Sequence, residues 1–169
     1  MLSFYFNTLT RSISQPRHLF SHLPLDLGVG KPLGYLMISS MLFAAASAIT
    51  ALTNHPALFL SLYFMNAMGM TVIAAGLGYL VIFIIKAGQD VAFYQVFSIY
   101  AIASGTTLLA AWVPCFLIIT EPWKWWLIGT GLKRSCRLTA IQVVWVIGLS
   151  AGVIVCAFRW VMPLTLSNQ

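Results

Sequence analysis

Chemistry at a protein site needs ionisable or nucleophilic groups brought together, and this sequence carries few of them. Its only carboxylates are Asp26, Asp90 and Glu121, in three separate segments. Paired acids for proton transfer are therefore not expected, and neither is a catalytic site built on them. No HExxH, GxSxG or phosphate-binding glycine loop is present. His18 and His22 stand four residues apart, a spacing that lets two ligands share one helix face. Two histidines without a third ligand make a weak metal site, so an ordinary interfacial pair is expected. Cys115, Cys136 and Cys156 are odd in number, widely spaced and form no CxxC pair. That argues against a disulfide framework or a zinc site and for isolated small apolar residues. No catalytic residue, metal or cofactor is expected.

Glu121 and Lys124 are the one charge pair worth singling out. Three residues apart on a helix, they can meet. An ionisable group inside a membrane is a functional hypothesis by default. Placement at an outer interface beside Trp123, Trp125 and Trp126 would make both charges cheap and remove the need for a role. The net charge of +6 does not imply nucleic acid, because the basic residues sit at the ends of apolar runs. Attraction to anionic lipid headgroups is the simpler account.

The elements that position these residues follow from composition. Of 169 residues, 60% are hydrophobic and 7% charged, with a mean hydropathy of +0.92. A soluble domain carries about 25% charged residues. Lipid must replace water over most of this surface, and each crossing takes about 20 apolar residues. The expectation is an all-α, polytopic membrane helix bundle with an N-terminal amphipathic interfacial helix. No cleavable signal or lipidation pattern is expected at the termini.

Residues 1–30 read as a cytoplasmic amphipathic segment. Leu2, Phe6, Leu9 and Ile13 recur on one helix face over residues 2–14, before Pro16. This face either lies in the membrane interface or packs on the cytoplasmic end of the bundle. Pro24 to Lys31 is a linker of turn formers. Residues 31–162 form the transmembrane domain, and 163–169 are a short tail. The first span is expected from about Pro32 to Thr53. The second, from Ala57 to Ile85, would exceed about 40 Å as a helix and must tilt, kink or project. The third runs from about Val91 to Val113 and the last from about Leu138 to Trp160.

Residues 115–132 barely suffice to span, with a kink at Pro122. Charge decides the count, because Lys and Arg accumulate in short cytoplasmic loops. Five spans put Arg11, Arg17, Lys31, Lys86, Lys133, Arg134 and Arg137 inside, and only Lys124 and Arg159 outside. Five transmembrane helices are therefore expected, with the N-terminus cytoplasmic and the C-terminus outside. Small residues at four-residue steps mark close helix contacts: Ala44 and Ala48 in the first span, Ala74 and Gly78 in the second, Gly148 and Gly152 in the last. They serve packing within the chain or a face for another protein.

Several motifs resemble the Yip-domain family of membrane proteins, named for interaction with Ypt/Rab GTPases, and in particular its compact prokaryotic members. Gln15-Pro16-Arg17-His18-Leu19-Phe20 is similar to the family's Pro-x-x-x-Phe element. Lys31-Pro32-Leu33-Gly34-Tyr35-Leu36 resembles its Pro-Leu lead-in to the first span. Tyr100-Ala101 through Leu108-Leu109-Ala110-Ala111-Trp112-Val113-Pro114 is similar to its Tyr-x(n)-Leu-x(n)-Ile/Val-Pro stretch. Trp126-Leu127-Ile128 and Gly131-Leu132 resemble its Trp-x-x-x-Leu and Gly-Leu elements. The resemblance implies five spans, a cytoplasmic N-terminus and a non-enzymatic role. Family members with long cytosolic N-terminal regions act in vesicle traffic through GTPases. This sequence lacks that region, which puts a GTPase partner in doubt.

Two functions stay open. One is a scaffold or adaptor in a bacterial cytoplasmic (inner) membrane, touching the bilayer and a membrane-protein partner or a second copy of itself. The other is a small transporter or lipid-handling subunit, whose polar path would use Asn66, Thr71, Ser104, Thr106, Thr107 and Gln142.

Overall fold

The computed structural model describes residues 2–21, 28–50, 55–86, 91–113 and 116–166. Among them every element is a helix: α1 (Leu2–Ser14), α2 (Pro16–Ser21), α3 (Gly30–Thr50), α4 (Pro56–Lys86), α5 (Phe93–Ala111), α6 (Leu117–Ser135) and α7 (Ala140–Leu166). Local chemistry sets several of the boundaries. Pro16 and Pro56 open α2 and α4, where a missing N–H costs nothing. At the start of α7 the Thr139 amide donates to Gln142 Oε1 at 3.0 Å, while the Gln142 amide lies 3.4 Å from Thr139 Oγ1. That is a reciprocal capping box. Past the end of α6, Arg137 takes φ 51°, the left-handed turn that usually falls to glycine.

Among the described residues three helices are long and apolar enough to cross a membrane: α3, α4 and α5. The stretch Ala140–Cys156 of α7 is a shorter apolar candidate. Helix α4 has 31 residues, so it measures about 46 Å at 1.5 Å per residue. It stays helical through Gly69 and overshoots a hydrocarbon core of about 30 Å. Its outward face runs from Leu58 to Ile84 and is apolar except for Ser61 and Asn66.

Helix α5 is the axis of the bundle. Every residue from Val96 to Thr107 is buried, against α3, α4 and α6. Gly131 of α6 sits against Ile99 of α5, and the two lie at similar distances from the connection, 12 residues before the end of α5 and 14 after the start of α6. The α5–α6 pair is therefore an antiparallel hairpin packed along its length. Helix α6 also runs unbroken through Pro122.

The N-terminal helix forms where expected, but its orientation corrects one of the two readings. The bundle side of α1 is Tyr5, Thr8 and Ser12, not the apolar stripe. Leu2, Phe6 and Ile13 are 67%, 62% and 58% exposed, and Leu9 is half-buried. The bundle offers hydroxyl partners to the polar side of α1, Ser39 to Tyr5 and Thr106 to Ser12.

Candidate functional site

The densest polar feature joins α1, α3 and α5. Thr106 Oγ1 donates to the Ile102 carbonyl at 2.8 Å and has Tyr35 Oη and Ser12 Oγ each at 2.9 Å. A hydroxyl has one proton and two lone pairs. Tyr35 donates to Thr106, while Ser12 Oγ also lies 2.9 Å from the Leu9 carbonyl, so its single proton is shared between that carbonyl and Thr106. Nearby, Tyr5 Oη and Ser39 Oγ are 3.2 Å apart, and the Tyr5 and Tyr35 rings lie 4.9 Å centre to centre. Gly105 makes room for this, because a Cβ there would fall 2.7 Å from Tyr35 Cε1. The cluster clamps the N-terminal helix onto two helices of the bundle.

Of the polar residues proposed for a path, Thr106 alone joins this cluster. Thr71 donates to the Ala67 carbonyl, and Thr107 to those of Ala103 and Ser104. Gln142 is occupied by its cap, Asn66 is exposed and Ser104 is buried. Tyr5, Ser12, Tyr35 and Ser39 were not legible as a group in the sequence. The available signal was the Tyr5–Thr8–Ser12 spacing, which sets a hydroxyl stripe on one face of α1.

The small-residue steps separate into two kinds. Ala44 and Ala48 are buried in α3, which packs on α4 and α5. Gly78 is buried where a Cβ would fall 2.5 Å from Tyr100 Oη, and Ala74 is half-buried one turn away. Gly148 and Gly152 are exposed, with no atom of the chain within 4 Å of a Cβ placed there. The expected contact of these glycines with another helix of the same chain is therefore corrected. The inward side of α7 is Val143, Val146 and Ser150, whose larger side chains fill the groove against α4 and α6.

Glu121 and Lys124 do pair, at 2.6 Å, with the carboxylate side chain 52% exposed. Lys124 Nζ also lies 5.5 Å from the Trp125 ring centre, within cation–π range. Trp123 and Trp126 pack together with centroids 5.0 Å apart, and Trp125 is half-buried. Trp126 also shares a pocket with Lys133 and Arg134, so it is not a membrane's thickness away from them. Asp26, Asp90 and His22, and with His22 the proposed histidine pair, lie outside the described residues.

Among the described residues every buried polar side chain other than tyrosine is a Ser or Thr hydroxyl. No group of three or more His, Cys, Asp or Glu comes together among them. Comparison with protein-family models, with curated proteins and with solved structures found no match for this chain.

Proposed function

We propose that this chain is a five-span, Yip-like protein of a bacterial inner membrane that works without catalysis, as a scaffold or adaptor for other membrane proteins. The observation that carries this reading is the chemistry of the interior. Many of the described buried hydroxyls bond to one another or to the carbonyls of their own helices, Ser40 Oγ and Tyr100 Oη are left without a partner, and no carboxylate or amine is buried among the described residues. Transport and proton relay inside a membrane rest on ionisable groups facing a path. Hydroxyls spent locally suit a bundle whose interior is for packing.

The five-span count is supported by the α5–α6 hairpin, because a helix packed along a spanning helix shares its depth. The basic residues at one end support a cytoplasmic N-terminus. The Gly148/Gly152 face of α7, open in this chain, fits a helix of another membrane protein approaching closely.

The test compares Gly152→Leu with the unmodified protein. Since the site is open, the variant should melt at the same temperature in detergent. It should also lose the membrane protein that copurifies with the native chain from mild detergent. A variant that keeps that partner at native stoichiometry overturns the role of this face. Solute flux through proteoliposomes containing the purified chain alone would favour the transporter.

A further inference from the structure

The end of α6 that carries Lys133 and Arg134 holds a pocket of about 390 Å³, lined by Arg17, Trp126, Gly129, Thr130, Lys133 and Arg134. Trp126, Gly129, Thr130 and Lys133 succeed one another at helical spacing and so share one face of α6. Arg17 comes from α2, and its place is fixed by how α2 is anchored. Phe20 is buried against Gly131, and Ser135 Oγ donates to the Phe20 carbonyl at 2.8 Å. These contacts bring a third cation to two that α6 already supplies.

The three positive side chains lack a described counter-charge. Glu121 is the only carboxylate among the described residues, and it is paired with Lys124. It also lies about 18 Å along α6 from Lys133 at 1.5 Å per residue. All three side chains are exposed, and with no carboxylate described beside them their fields add to attract an anion. Two guanidinium forks suit phosphate oxygens, and the ammonium adds a point charge. The Thr130 hydroxyl and the Trp126 indole N–H are further donors on the same wall.

We propose that this pocket binds a phosphate anion, the chemistry shared by an anionic phospholipid headgroup and free phosphate. The headgroup is the favoured source on two grounds. The volume is at the small-ligand scale of about 300–1,000 Å³, which holds a phosphate with its glycerol. A basic pocket beside apolar helices also opens where headgroups lie. The proposal is independent of the scaffold reading, since a transporter would use the same site equally well.

The experiment is native mass spectrometry of the full chain in mild detergent with phosphatidylglycerol or phosphatidylcholine, plus titration with inorganic phosphate. Retention of one phosphatidylglycerol, in preference to phosphatidylcholine and not displaced by phosphate, supports the headgroup. Saturable binding of inorganic phosphate that displaces the lipid supports the free ion at the same site. In either arm Arg17→Gln and Lys133→Gln should each weaken binding about fivefold, and Lys133→Arg should preserve it. Thr130→Leu keeps every charge but fills the pocket, so it should also lose binding. Arg11→Gln removes a charge outside the pocket and should change nothing. The proposal is overturned if both lipids are retained equally and phosphate does not bind. It is overturned too if Thr130→Leu binds normally, or if Arg11→Gln weakens binding as much as Lys133→Gln.

Discussion

Thr106 bonds to three partners on three helices, so removing its hydroxyl breaks the links that tie α1 and α3 to α5 at this point. Thr106→Val takes a buried partner from Tyr35 and one of two partners from Ser12, which keeps the Leu9 carbonyl, and should lower the stability of the detergent-solubilised protein by about 1–2 kcal/mol. Thr71→Val removes only a bond to its own helix backbone and should cost well under about 1 kcal/mol. Thermal unfolding of the two variants side by side checks the contrast, and equal losses would show that the cluster adds nothing. Gly105→Ala tests the same contact from the other side. Its methyl group would meet the Tyr35 ring and should cost about 1–3 kcal/mol by overpacking. The role of Thr106 was partly legible, since a polar residue in an apolar run invites a question. Its partners were not, because Tyr35 and Ser12 are remote in sequence and nothing local links them.

Helices end where the backbone turns, and α6 ends with an arginine in a conformation that favours glycine. Arg137 has φ 51° and an exposed side chain. A left-handed residue with a Cβ costs roughly 1–2 kcal/mol. Arg137→Gly should therefore raise the stability by about 1 kcal/mol, read as a higher midpoint in thermal unfolding. A lower midpoint would mean that the arginine side chain makes contacts outweighing its backbone strain. Helix α1 carries the complementary lesson. Its period was readable, and so was the split between an apolar and a polar side. Which side faces protein is decided by the neighbours, and in a lipid-facing bundle the polar side goes inward to find hydroxyls.

Five helices of alternating direction would leave the two ends of this chain on opposite sides of a bilayer. The packing of α6 along α5 and the gathering of Arg17, Lys133 and Arg134 at one end both favour that arrangement. A reporter enzyme fused after Gln169 should then behave as extracytoplasmic, and one fused within the Lys86–Asp90 connection as cytoplasmic. A cytoplasmic signal at Gln169 would remove α6 or α7 from the set of spans. The basic pocket and the open glycine face of α7 are both features of this larger scale. Each depends on helices brought together, or left uncovered, by the whole bundle.

Composition and periodicity by themselves determined the class. Long apolar runs punctuated by Pro56, the Lys86–Asp90 segment and the Lys133–Arg137 cluster suit helices that cross a bilayer, because a helix satisfies its backbone groups within its own segment. The helix at residues 2–14 and the Glu121–Lys124 pair were readable for the same local reason, residues three or four apart on one helix. Only the tertiary structure decided which faces meet. In lipid the inner and outer sides of a helix are both apolar, so hydrophobic patterning no longer marks the core side. Gly78 and Gly105 are filled by tyrosines, while Gly148 and Gly152, with the same spacing signal, stay open. That difference lies in the shape of neighbouring helices, which no local run of residues encodes.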